Sequence, residues 1–171
     1  MTGVEKENAE HERKFLVRSE QWRDSIVSSR VIRQVYVSQD ANLWVTRVRI
    51  CDEEETALLT VKGPRKGVSN LEFEYRIPYE DGLQIWKESP GVRISKRRSI
   101  VVEEQGKWEV DEFLDAALDG LVMAEFEMPH PGFKVILPPW VGMDVSEDHE
   151  YRNEFLAASA ARISIGKRPV P

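Results

Sequence analysis

Apolar and polar residues alternate along most of this chain. In AEHERKFLV, residues 9–17, Glu10, Glu12 and Lys14 share one parity, and His11, Arg13, Phe15 and Val17 share the other. A strand turns successive side chains to opposite faces, so a period of two predicts strands. The same period recurs five more times. In VTRVRI, Arg47 and Arg49 oppose Thr46, Val48 and Ile50, and in LLTVKG, Thr60 and Lys62 oppose Leu59 and Val61. In LEFEYRI, Glu72, Glu74 and Arg76 oppose Leu71, Phe73, Tyr75 and Ile77. In WEVDEF, Glu109 and Asp111 oppose Trp108 and Val110; in LVMAEFEM, Glu125 and Glu127 oppose Ala124, Phe126 and Met128. VRISKRRSI is polar on both faces, so periodicity alone does not orient Lys96 and Arg98.

Adding VIRQVYVS gives about eight strands, mostly joined by short connections, and an antiparallel sheet is the natural reading. GPRKGVSN reads as a Gly/Pro loop and QGK as a hairpin. Three helices are expected: a short one in SEQWRDSIVSS capped by Ser19, one from near Asp81 to before Pro90, and one in SEDHEYRNEFLAASAA capped by Ser146. Residues 1–8 are read as a disordered N-terminus, 9–163 as one domain and 164–171 as a flexible tail.

The length of 171 residues suits one domain, and 41% hydrophobic residues suffice for a core. The charged share of 32% exceeds the usual quarter and needs a destination. A net charge of −6 argues against nucleic acid as the main partner. The lone Cys51 excludes an intramolecular disulfide and a thiolate zinc site, and reads as a small residue at a strand end. The first residues lack the apolar centre of a signal peptide, and no apolar run approaches a membrane span. A reduced, cytoplasmic protein with no membrane partner is the expectation, as a monomer or homodimer.

One wet face of an antiparallel sheet would explain the alternation. It does not explain the composition of that face, which is nearly all Glu, Asp, Arg and Lys, often as like-charged i, i+2 pairs that repel. If the sheet closes with that face inward, about eight strands enclose room for one small ligand. Paired carboxylates bind Mg²⁺ or Mn²⁺, and Arg and Lys bind phosphate oxygens. A triphosphate carrying metal satisfies both sets at once.

Glu10-x-Glu12-x-Lys14 followed by FLV resembles the ExExK signature of the CYTH superfamily, the triphosphate tunnel metalloenzymes. RVRI, LTVKG, LEFEYRIP, SKRR, WEVDEF, GLVMAEFEMP and VSEDHEYRNEFL resemble its later blocks in order, from about residue 9 to 156. The resemblance implies a mainly β (α+β) fold: an eight-stranded antiparallel β-barrel tunnel with helices packed outside, one of them closing a tunnel end. It assigns Lys14, Arg47, Arg49, Lys62, Lys96 and Arg98 to phosphate, turning the last two inward, and parity adds Arg76. It assigns Glu10, Glu12, Glu125 and Glu127 to Mg²⁺ or Mn²⁺ and the attacking water, with Asp111, and with Glu72 and Glu74 in support. Tyr36 resembles a family tyrosine at the tunnel and is either a proton acceptor, a gate or a packed aromatic. Two positions depart from the pattern: Asn70 stands where an Arg is frequent, and Arg76 where an acid is.

The leading expectation is metal-dependent hydrolysis of inorganic triphosphate by Glu10, Glu12 and Lys14, with Tyr36 assisting. A class IV-type adenylate cyclase is the alternative, followed by hydrolysis of thiamine or nucleoside triphosphate, which needs an aromatic clamp, and by non-catalytic polyphosphate binding. Pure binding needs cations more than paired carboxylates.

Overall fold

The structure is a computed structural model that describes residues 8–39 and 44–166; the expected disordered start and most of the expected tail lie outside them. Nine strands form one sheet: β1 (Ala9–Val17), β2 (Ile26–Gln39), β3 (Val45–Cys51), β4 (Thr56–Lys62), β5 (Ser69–Ile77), β6 (Val92–Glu103), β7 (Gly106–Phe113), β8 (Val122–Glu127) and β9 (Val141–Asp144). Helix α1 spans Tyr79–Glu88 and α2 spans Asn153–Gly166.

Strand order is β5-β4-β3-β2-β6-β7-β8-β1-β9, and a further β1–β5 pairing closes the first eight strands into the expected antiparallel barrel. The closing seam is short. Ala9, Glu10 and His11 pair with Leu71, Asn70 and Ser69, and Glu72 N–H donates to Asn8 O. Beyond that point β1 changes partner on this edge, and Phe15 and Val17 pair with Asp144 and Val141 of β9. The other edge of β1 runs along β8, from Glu12 opposite Glu127 to Leu16 opposite Met123. β9, four residues with a glycine inside, carries too little alternation to be read from sequence.

Three local expectations are corrected. Only Glu20–Ser25 forms a 3-10 turn, Ser19 makes no side-chain cap, and Ile26 onward joins β2, with Ile26 opposite Val101. The β-branched Ile26 and Val27 and the flanking serines are poor helix formers, and strand pairing captures them. Helix α1 starts at Tyr79 behind Pro78, two residues before Asp81, because proline's fixed φ suits a helix start. Ser146 caps no helix: its Oγ accepts from Lys14 N–H at 2.9 Å, and Asp148 caps a separate 3-10 turn, His149–Tyr151, before α2.

The apolar core lies outside the barrel wall. Phe15, Trp108, Val110, Ala124 and Phe126 project outward and are covered by Trp22 and by Met128, Val135 and Trp140. Trp108 packs at 4.9 Å from Phe126 and 5.4 Å from Trp140, ring centre to ring centre. A second cluster is the exception: Ile94, Phe113 and Met123 carry the lumen-facing parity of Lys96, Asp111 and Glu125, and they fill the end of the barrel under Leu156 and Ala157 of α2. A third, Val35, Val48, Ile50 and Ala57, lies under Leu83, Ile85 and Trp86 of α1. In the first and third clusters apolar parity faces an outer cover, whereas the lumen parity is charged along most of the barrel and apolar only at the end under α2.

Helix α1 sits so close to β4 that a Cβ at Gly82 would lie 2.5 Å from Cβ of Ala57. Gly82→Ala gains about 1 kcal/mol of helix propensity. Neither methyl can rotate away, so overpacking of about 1–3 kcal/mol outweighs that gain. The expected result is a lower urea midpoint with an unchanged slope.

Candidate active site

The lumen contains a cavity of about 610 Å³ and, adjoining it, a smaller inner chamber of about 60 Å³. Glu12, Lys14, Arg47, Lys62 and Asn153 line both. The strands deliver each group by parity. β1 presents Glu10, Glu12 and Lys14, β3 presents Arg47 and Arg49, β4 presents Lys62, and β5 presents Glu72 and Glu74. β6 adds Arg98, β7 Glu109, and β8 Glu125 and Glu127.

Opposite charges compensate most of this lining. Arg98 holds Asp111 with two bonds, Nε to Oδ1 at 2.7 Å and Nη2 to Oδ2 at 2.6 Å, and reaches Glu125 Oε2 at 2.7 Å. Lys14 Nζ donates to Glu125 and lies 3.2 Å from Glu12 Oε1. Lys62 Nζ donates to Glu10 Oε2 at 2.7 Å and pairs with Glu72. Arg47 lies 3.6 Å from Glu72, and Arg49 lies 3.9 Å from Glu74. Burial alone would raise the Glu125 pKa, but Lys14, Arg98 and Lys96 outweigh it and hold the carboxyl well below its usual range. Glu12 is likewise lowered: Lys14 and Lys62 overcome its burial.

Two groups are not compensated. Burial, then the neighbouring Arg47 and Arg98, lower the Arg49 pKa to about 10. That crowding of cations favours an anion. In the larger cavity, burial and the carboxylates of Glu10 and Glu109 raise the Glu127 pKa. Among the described residues no cation pairs with Glu127, so this position favours a cation.

The charges are also polarised along the lumen. The inner chamber is lined by five cationic side chains, Lys14, Arg47, Lys62, Arg65 and Arg152, and two carboxylates, Glu12 and Glu154. The outer cavity is lined by six cationic side chains and seven carboxylates.

The expected site residues divide accordingly. Tyr36 lines the inner chamber, 1% exposed, and accepts a 3.1 Å bond from Gln34 Nε2. Burial raises its pKa against the pull of Arg47, so the phenol stays protonated. Lys96 and Asp111 sit behind the lining, joined at 2.6 Å, with Lys96 also 3.4 Å from Asn153 Oδ1. Burial and Arg98 lower the Lys96 pKa to about 8 against the pull of Asp111. Arg76 shares the parity of Glu74 but is exposed and lines neither cavity. Asn70 is buried and donates to Glu10 Oε2 at 3.4 Å. Trp108 packs outside the wall, as its parity predicts.

Sequence reasoning missed Arg65 and Asn153. Arg65 lies in the loop between β4 and β5, where no period orients a side chain. Asn153, at the start of α2, borders both cavities. Only its place in the final block could have pointed to it.

Carboxylates are hard oxygen donors suited to Mg²⁺ or Mn²⁺. Among the described residues no three carboxylate, imidazole or thiol groups already form a metal cage. The fit is to an ion held by one or two carboxylates, with phosphate oxygens and water completing its sphere.

The fold and lining define a closed β-barrel with an ionised lumen suited to a polyanion and a cation together. Residues 8–154 match the CYTH domain, and the chain belongs to that family. It is 37% identical over 150 residues to an inorganic triphosphatase of Acetivibrio thermocellus, covering 86% of this chain and 92% of that one. It is 31% identical over 153 residues to an inorganic triphosphatase of Nitrosomonas europaea, covering 88% and 97%. A crystal structure of an inorganic triphosphatase superposes with a TM-score of 0.61 at 29% identity, covering 86% of this chain and 93% of that one.

Glu125 and Glu127 respond oppositely to loss of charge. Glu125→Gln takes one carboxylate from Lys14, which keeps Glu12, and from Arg98, which keeps Asp111, and is expected to cost about 1–3 kcal/mol, the range for removing one partner of a buried hydrogen bond. Glu127 has a raised folded pKa, so its ionised form destabilises the fold above the unfolded pKa. Glu127→Gln is therefore expected to raise the melting temperature at neutral pH and to lose that advantage in acid, as Glu127 itself becomes protonated. Melting curves against pH check both.

Proposed function

We propose that this chain hydrolyses inorganic triphosphate to pyrophosphate and phosphate inside the barrel, with bound Mg²⁺ or Mn²⁺. The observation that carries the reading is the polarised lumen, with excess positive charge in the small inner chamber and a slight carboxylate excess in the larger cavity. The likeness to two inorganic triphosphatases over most of all three chains supports the same substrate.

Phosphoryl transfer is mostly positioning and neutralisation of charge. Arg47, Arg49, Lys62 and Arg98 grip the phosphate chain. The inner chamber, cationic in its lining, suits a terminal phosphoryl group. Lys14 polarises the terminal phosphoryl. Glu10 or Glu12 orients water for in-line attack and takes its proton as the phosphoanhydride bond breaks. Glu10, Glu12 and Glu127 hold the divalent ion, which supplies neutralisation of phosphate charge and a more acidic water. Tyr36 stays protonated and donates a hydrogen bond at the inner end. Lys96 and Asp111 fix Arg98 from behind.

A second reading has one specific observation in its favour. Phe73 and Tyr75 border the larger cavity and offer aromatic surface to an organic substituent. Phosphate release from inorganic triphosphate, ATP and thiamine triphosphate, with Mg²⁺ or Mn²⁺ and with EDTA, separates the two. Metal-dependent release favouring inorganic triphosphate is expected. Cyclic AMP and pyrophosphate from ATP would replace this reading with the cyclase. Arg47→Ala is expected to weaken triphosphate binding about ten- to hundred-fold, from loss of a charged hydrogen bond of about 1.5–3 kcal/mol. Titration calorimetry measures it, and unchanged affinity would mean that Arg47 serves only the fold.

A further inference from the structure

Arg65 belongs to no strand, yet its side chain is only 9% exposed. Its surroundings follow from the change of partner on β1. On that edge β5 pairs no further than His11, and β9 pairs no earlier than Phe15, so Glu12 falls in the gap. The β4–β5 loop fills it. Glu12 N–H donates to Val68 O at 3.1 Å, and Arg65 Nη2 donates to Glu12 O at 2.9 Å. The same guanidinium reaches the side chain: Nη1 donates to Glu12 Oε1 at 3.0 Å. Its Nε donates to Gly67 O at 2.8 Å, which anchors the fork to its own loop.

Glu12 Oε1 thus receives Arg65 as well as Lys14, at 3.0 and 3.2 Å. Among the described residues no side chain bonds to Oε2. Glu12 also lines both the larger cavity and the inner chamber, where the two meet. A planar fork that grips backbone and carboxylate at once fixes the rotamer of that carboxylate, as a single ammonium does not.

We propose that Arg65 is a positioning residue: it clamps Glu12 by Oε1 and the backbone carbonyl so that Oε2 stays directed at the junction of the two cavities, ready for a divalent cation. The proposal rests on the triphosphatase reading of the lumen. Partners that orient a metal ligand are worth about 10–100-fold in metal affinity or activity.

The test is Mn²⁺ titrated into the full chain and read by electron paramagnetic resonance, beside kcat, KM for triphosphate and the melting temperature. Arg65→Gln is expected to weaken Mn²⁺ binding about 10–100-fold and to move kcat more than KM. Arg65→Lys keeps the charge without the two-point grip and is expected to recover only part of the loss. Lys66→Gln, at an exposed neighbour, is expected to match wild type. Wild-type Mn²⁺ affinity in Arg65→Gln with a lowered melting temperature would make Arg65 structural and overturn the proposal. Full recovery in Arg65→Lys would overturn the clamp in favour of charge alone. If the wild-type chain binds Mn²⁺ and releases phosphate while Arg65→Gln behaves identically, this inference fails and the triphosphatase reading stands. If the wild-type chain does neither, both fail.

Discussion

Ion pairs inside the barrel are the constraint on which the rest depends. Arg98, Asp111, Glu125, Lys14 and Lys96 are all buried, and a buried charge is tolerable only when it is paired and hydrogen-bonded. Arg98 meets that demand with a bidentate grip on Asp111 and a further bond to Glu125. Filling the lumen this way confines its apolar part to the end under α2, so most of the hydrophobic stabilisation comes from the outer wall. That is why the Phe15–Trp108–Phe126 face needs a cover, and why the irregular segment after β8 brings Val135 and Trp140 across it. The helices follow the same logic, α1 covering β3 and β4 and α2 covering the end of the barrel near Tyr36.

Compensation is deliberately incomplete where chemistry is expected. Pairing every charge would stabilise the empty barrel and leave nothing for a ligand. Arg49, depressed by Arg47 and Arg98, and Glu127, raised by Glu10 and Glu109, are opposite errors of compensation at different places in one lumen. A triphosphate with its metal corrects both. The carboxylate excess lies in the larger cavity, while the inner chamber is cationic.

Much of this was legible because parity is local. Glu10, Glu12, Lys14, Arg47, Arg49, Lys62, Glu72, Glu74, Glu109, Glu125 and Glu127 all face the larger cavity, as their alternation required. Parity says which face a side chain takes, and nothing of how far along the barrel it lies. Arg76 shows the difference. It shares the face of Glu74, but β1 begins at Ala9 opposite Leu71, so among the described residues the β1 side of the wall ends short of Arg76. Arg65 and Asn153 were illegible for the converse reason: they enter from a loop and a helix start, and only closure brings them to the strands. The Asn70 departure is met the same way, since Arg65 brings a guanidinium to Glu12 from the loop while Asn70 bonds to Glu10.

The spacing of Glu10, Glu12 and Lys14 has a mechanical explanation as well as a chemical one. Alternate residues on a strand step about 6.8 Å along its axis, so the three groups form a row from the larger cavity to the inner chamber. A slip of one residue would turn all three outward and drive Phe15 into the lumen. Two ladders prevent it. The β5 pairing fixes Glu10 opposite Asn70, and the β8 pairing fixes Glu12 opposite Glu127 and Lys14 opposite Glu125. The irregularity in β1 falls between Phe15 and Val17, on the β9 side, after the last of the three charged residues. Register is thus held tight across the row that meets the ligand and released only where β1 has become part of the outer wall.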